Sequence, residues 1–197
     1  MSRTESFRNS GHRNRKGSGE EQLPSILSAR VREIPASAIG LMTRRAVEIG
    51  AINLAQGFPT FPPPFELLRN LERTCTEGPH HYTSSFGTPE LRRAVAELYR
   101  KRNGLEADWK REVTVTCGAT EAIFAAIMAL VDPGDEVLTF HPFYESYLPA
   151  AVSAGARVLH VDICEGSGFP IDEEGLKAAF ERRPKVLVFC NPTNPQG

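Results

Sequence analysis

The chain has 197 residues, room for one or two domains, and its formal charge of -1 gives no electrostatic argument for nucleic acid or an acidic membrane as partner. Hydrophobic residues make up 41%, as in an ordinary soluble globular chain, and no apolar run approaches the roughly 20 residues that a membrane helix needs. Cys75, Cys117, Cys164 and Cys190 are far apart and form no C-x-x-C pair. They read as reduced thiols of a cytosolic protein, with no disulfide or metal role.

Met1 to Gln22 is a polar tail of Arg, Ser, Gly and Asn without an apolar core. It reads as a disordered terminus rather than a secretory signal. Residues 23–75 read as an N-terminal arm and entry segment. Ile39, Met42, Ala46 and Ile49 recur at helical spacing, and Gly50 suits the stop. Ala51 to Ala55 is a short strand-like run, broken by Gln56-Gly57-Phe58-Pro59. Three prolines at 62–64 keep the next stretch extended, and a helix is predicted from Phe65 to Cys75.

From residue 76 the pattern changes to alternating strands and helices, the mark of an α/β fold with a mainly parallel sheet and flanking helices. His80-His81 reads as a surface loop, because adjacent residues of an extended chain point to opposite sides. Thr88-Pro89 is an N-cap and first-turn pair opening a helix that Gly104 ends. The β-branched run Val113 to Cys117 is predicted as a strand, and Gly118-Ala119-Thr120 turns into an apolar helix ending near Val131. Asp132 to Asp135 is a turn cluster, and Val137 to Phe140 a buried strand closed by Pro142-Phe143-Tyr144. Together these predict a parallel crossover of strand, helix and strand. Arg157 to Val161 reads as a further strand. Asp172 caps a helix over Glu173 to Arg182, and Val186 to Cys190 is a central parallel strand. On this reading Cys117 and Cys190 sit in buried strands.

The glycine turn is where an anion could bind. A helix that starts directly after a strand leaves its first N–H groups without partners, and its dipole adds partial positive charge. Thr120 can add a hydroxyl. On the turn alone, a tight connection with no ligand is the preferred reading. Neither G-x-G-x-x-G nor G-x-x-x-x-G-K-[ST] occurs here, which disfavours a dinucleotide-binding oxidoreductase domain.

NLAQGFPTFPPP from Asn53, HYTSSFGTPELRRAV from His81, GATEA from Gly118, PGDEV from Pro133, HPFYESY from His141 and NPTNPQG from Asn191 follow one another in order. This series resembles the class I/II aminotransferases, the fold-type I enzymes that use pyridoxal 5′-phosphate. Within them it looks most like the kynurenine, glutamine and methionine aminotransferase group, some members of which also cleave cysteine conjugates. The resemblance runs from about Ser37 to Gly197.

The resemblance implies roles for particular residues. Ala119 and Thr120 match the phosphate cup, and Tyr144 the aromatic that lies on the pyridine ring. Asn194 matches the asparagine that hydrogen-bonds the ring's phenolic oxygen, and Tyr82 the tyrosine that reaches the cofactor phosphate of a neighbouring subunit. Gly57 matches a corner beside the amino-acid substrate. Each also has a plain structural reading: a turn for Gly57 and Asn194, a half-buried aromatic for Tyr82. Lys16, Lys101, Lys110, Lys177 and Lys185 do not match the family's Schiff-base lysine context. The resemblance therefore implies the N-terminal portion of an aminotransferase, with 76–197 an incomplete large domain. No catalytic residue is assigned, the partners are an amino acid and a 2-oxo acid, and the complete protein would be a cytoplasmic homodimer. A lyase of the same fold acting on carbon–sulfur bonds, and a non-catalytic truncated isoform that pairs with a full-length subunit, are the alternatives.

Overall fold

The computed structural model describes residues 26–164, 168 and 170–195. The polar tail lies outside the described residues. Ten elements follow in chain order: α1 (Ala29–Glu33), α2 (Ala38–Glu48), α3 (Phe65–Glu77), α4 (Pro89–Asn103), α5 (Gly118–Leu130), β1 (Glu136–His141), α6 (Tyr147–Ser153), β2 (Arg157–Asp162), α7 (Glu173–Glu181) and β3 (Val186–Val188). The three strands form a parallel sheet in the order β2-β1-β3. The fold is α/β, as the alternation of patterns predicts.

β1 is the centre of this sheet, and its sequence explains why. Glu-Val-Leu-Thr-Phe-His carries four consecutive buried residues, Val137 to Phe140. Alternate side chains of a strand point to opposite faces. Val137 packs with Ile127, Val131, Ala150, Ala151 and Ala154 of the α5 and α6 layer. Leu138 and Phe140 pack with Val161 and with Ala179 of α7 on the other face. A strand apolar on both faces suits only a covered parallel sheet. β1 pairs with β2 from Glu136 opposite Arg157 to His141 opposite Asp162.

Local signals set the helix ends. The Thr88 hydroxyl accepts from the Leu91 N–H at 3.3 Å, with Pro89 in the first turn. The Asp172 carboxylate accepts from the Gly175 N–H at 3.0 Å. Ser37 caps α2 by accepting from the Gly40 N–H at 2.9 Å. Arg182, just past α7, pairs with Glu136 at the foot of β1 and holds that carboxyl below its usual range.

Several expectations are corrected. Val113 to Cys117 forms no strand, and neither does Ala51 to Ala55. Val113–Cys117 is extended backbone whose Val115 N–H donates to the Phe86 carbonyl at 2.9 Å, one backbone bond to a loop instead of a ladder. The realised crossovers are β1–α6–β2 and β2–α7–β3, and α5 instead links that extended segment to β1. The predicted strand Val186–Cys190 is three residues long and pairs only with β1 among the described residues, so it lies at the sheet's edge. Cys117 is accordingly exposed and Cys190 half-buried. All four cysteines are free thiols.

Leu138 is completely buried between the two layers. Leu138→Ala should lower stability by about 2–5 kcal/mol, because the covering helices cannot collapse onto a central strand. Urea unfolding should show this as a lower midpoint at unchanged slope.

Candidate active site

Open parallel sheets bind ligands beyond the C-terminal ends of their strands. β1 ends at His141, where the His141 ring lies 3.3 Å from the Asp162 carboxylate of β2. The chain then turns through Pro142 to Ser146 before α6. This turn meets the first turn of α5, for the Thr120 and Ser146 hydroxyl oxygens are 3.3 Å apart. The Tyr144 phenol joins them, and hydrogen bonding from Ser146, then Thr120, holds its pKa below the ordinary tyrosine value against the opposing effect of burial.

The start of α5 is open. Gly118 has φ +81 and nothing within 4 Å of where a Cβ would lie, so a ligand can come close to the backbone there. Cys117, the N-cap, gives the helix no side-chain cap, and its own N–H donates to the Glu121 carboxylate. Ala119 and Thr120 lie in the first turn, where no earlier turn of helix supplies acceptors for their amides. The donor set is thus helix amides plus the hydroxyls of Thr120, Ser146 and Tyr144, which suits a phosphate ester.

Beside it lies a cleft of about 220 Å³ lined by Thr139, Phe143, Tyr147, Cys190, Thr193 and Asn194, among others. Tyr147 joins the cleft to the hydroxyl cluster. Its ring is edge-on to Tyr144 at 5.9 Å and stacked on Phe143 at 6.3 Å. Its phenol is pushed up to about 12, by burial first and then by the Cys190 thiol beside it. The Cys190 thiol in turn donates to the Pro192 carbonyl at 3.3 Å. The entry segment also reaches this edge, because the Ser37 hydroxyl donates to Glu145 at 2.7 Å.

The structure therefore brings Thr120 and Tyr144 together, with Ala119 in the same turn and Asn194 on the adjoining cleft. Tyr82 is fully exposed rather than half-buried, and Gly57 is exposed with open space around it. No hydrogen bond among the described residues joins Tyr82 to the cluster. Sequence reasoning missed Ser146, Tyr147 and Cys190. The spacing held a signal, since Phe143, Tyr144 and Tyr147 are three and four residues apart at a helix start, where such side chains meet.

Tyr147 gives a prediction with a defined sign. A folded-state pKa raised from 10.0 to about 12 favours the neutral phenol. Its contribution to stability is complete below pH 10.0 and is lost as pH rises through about 12. Ultraviolet titration of the folded chain should show one late phenol, and Tyr147→Phe should remove that step.

Residues 49–197 match the family "Aminotransferase class I and II". The probable N-succinyldiaminopimelate aminotransferase of Mycobacterium tuberculosis is 39% identical over 170 residues, covering 86% of this chain and 43% of the relative. A solved structure of the Mycobacterium tuberculosis N-succinyldiaminopimelate aminotransferase superposes with a TM-score of 0.81 at 39% identity, over 86% of this chain and 44% of that one. Human kynurenine–oxoglutarate transaminase 1 is 36% identical over 77% of this chain and 39% of its own. The chain spans less than half the length of these relatives. It belongs to the class I and II aminotransferases.

Proposed function

We propose that this chain supplies the phosphate- and ring-holding part of an aminotransferase that moves an amino group from an amino acid to a 2-oxo acid. The observation that carries this reading is the convergence of the α5 first turn with the Thr120, Ser146 and Tyr144 hydroxyls, next to a cleft bearing Asn194. Members of the family use pyridoxal 5′-phosphate, and the residues present fit that group. Amides of Ala119 and Thr120 with the Thr120 hydroxyl would take the phosphate. Tyr144 offers an aromatic face, and the Asn194 amide can donate to a phenolate oxygen and favour its ionised form. When bound, the cofactor supplies an electron sink for charge developing at the α-carbon of an amino acid.

Gly57 would lie beside the substrate. Full exposure of Tyr82 supports a role towards a second subunit, and on this reading the complete protein is a cytoplasmic homodimer. No helix of the described residues is long and apolar enough to cross a membrane. Residues 76–197 would be part of the cofactor-binding large domain, reached by the arm of 23–75.

The anchoring lysine is a separate matter. Among the described residues no lysine lines the cleft. Lys101 pairs with Glu97 on α4, Lys110 lies over the Trp109 ring, and Lys185 precedes β3 at the opposite end of the sheet. Lys177 is exposed on α7. We infer that none of these four is the anchoring lysine, which comes from outside the described residues. The same observation supports a second reading, a non-catalytic chain that pairs with a full-length subunit.

Two measurements test these readings. The purified chain should bind pyridoxal 5′-phosphate reversibly, with no lysine adduct trapped by borohydride in the described residues and no product from an amino acid and a 2-oxo acid. Turnover abolished by substituting Lys101, Lys110, Lys177 or Lys185 would refute the inference about the lysine. Tyr144→Ala should weaken cofactor binding by at least about 0.5–1.5 kcal/mol, the value of a lost aromatic contact beyond area; unchanged affinity in equilibrium dialysis would remove Tyr144 from the site.

A further inference from the structure

Arg92 is the one charged side chain that is buried among the described residues, at 8% exposed. A buried guanidinium is costly unless its N–H groups are satisfied. Here no carboxylate meets it. Its Nε donates to the Val113 carbonyl at 2.7 Å and its Nη2 to the Lys110 carbonyl at 2.9 Å. The aromatic rings of Phe86 and Trp109 cover it, at 5.5 and 5.7 Å from the guanidinium carbon.

Both acceptors belong to the segment that leads into α5, and that segment has no strand partner. A further tie is the Val115 N–H on the Phe86 carbonyl at 2.9 Å. Gly87 backs the same point. With φ +96, and with Val115 side-chain atoms 2.7 and 2.8 Å from where its Cβ would lie, position 87 excludes any larger residue. The anchors of the extended segment upstream of Cys117, whose own N–H turns to Glu121 of α5, therefore come from the Phe86–Arg92 stretch that opens α4. Gly118 follows Val115 by only three residues.

We propose that Arg92 is a positioning residue for the phosphate-binding first turn of α5, a role that rests on the functional reading of that turn. Its planar fork holds two carbonyls at once, which fixes where the chain stands as it enters Gly118-Ala119-Thr120. A lysine keeps the charge but ends in a single point and cannot grip both carbonyls in the same geometry. The expected consequence is a folded Arg92→Lys protein whose glycine turn is loose.

The test uses the full chain as wild type, Arg92→Lys, Trp109→Phe and Ala179→Gly, the last being a remote destabilised control in α7. Two quantities are read: amide hydrogen exchange at Val115 and Gly118 against the rest of the chain, and affinity for pyridoxal 5′-phosphate against pyridoxal, which lacks the phosphate. Arg92→Lys should speed exchange selectively at those two amides. It should also weaken pyridoxal 5′-phosphate binding about tenfold, the low end for loss of an outer-shell support, with pyridoxal unaffected. Ala179→Gly should do neither. Wild-type behaviour of Arg92→Lys, or the same pattern in Ala179→Gly, would overturn the proposal. If Arg92→Lys does not fold, Trp109→Phe decides: a smaller copy of the selective pattern supports the clamp, and no selective change rejects it. If the wild-type chain takes no pyridoxal 5′-phosphate, the functional reading falls, and selective exchange at Val115 and Gly118 alone decides whether Arg92 fixes the turn.

Discussion

Burial of β1 on both faces is the constraint from which the rest of the structure follows. Val137 and Leu138 are adjacent, point in opposite directions and are each almost completely removed from water. A strand of this kind needs a layer on either side, which α5 and α6 provide on one face and α7 on the other. Of these, α6 and α7 lie in the crossovers between strands, because parallel neighbours cannot be joined by tight turns. Once β1 is central, the loops leaving the strand ends all emerge at one edge. The β1–α6 turn then stands beside the start of α5, and Tyr144 and Ser146 reach Thr120.

What was legible in the sequence was local chemistry. Thr88-Pro89, Asp172 and the Val137–Phe140 run each carry the cause of their structure in neighbouring residues: a cap acceptor, a fixed φ, an unbroken apolar strand. Val113–Cys117 failed for the opposite reason. Val-Thr-Val-Thr reports a preference for extended backbone, and the backbone is extended. A strand also needs a partner at the right distance, and no property of those five residues says whether one is present. Arg92 stands next to Arg93 in a charge run of the kind that usually marks a solvated face, and only the fold reveals that it turns inward beneath Trp109 while Arg93 lies over that ring from outside.

The site was half legible. Thr120, Tyr144 and Asn194 came from motif order, and the fold sets them along one edge. Tyr147 and Cys190 were invisible because their roles are made by contact across 43 residues of chain, between the start of α6 and the end of β3. Tyr82 and Gly57 show the converse. A motif can point to residues whose contacts are absent from the described structure, because their proposed partners, a second subunit and a substrate, are other molecules.

The electrostatics of the cluster say what such a site needs in order to hold a phosphate firmly. No hydrogen bond or ion pair among the described residues brings an arginine or lysine to Thr120, Tyr144 or Ser146. Two carboxylates are close by instead, Glu121 on the Cys117 amide and Glu145 on the Ser37 hydroxyl. A helix N-terminus presents only about half an elementary positive charge, worth roughly 0.3–1 kcal/mol when exposed. Hydroxyl donors add direction but no net charge. Against a phosphate ester of charge near -2, this set orients the ligand without neutralising it. Tight binding therefore calls for a cation from beyond the described residues. In its absence the geometry of the donors matters more, since each amide and hydroxyl must be well aimed to contribute at all. That is why a residue such as Arg92, which touches no ligand, can govern affinity by fixing the path of the chain into Gly118.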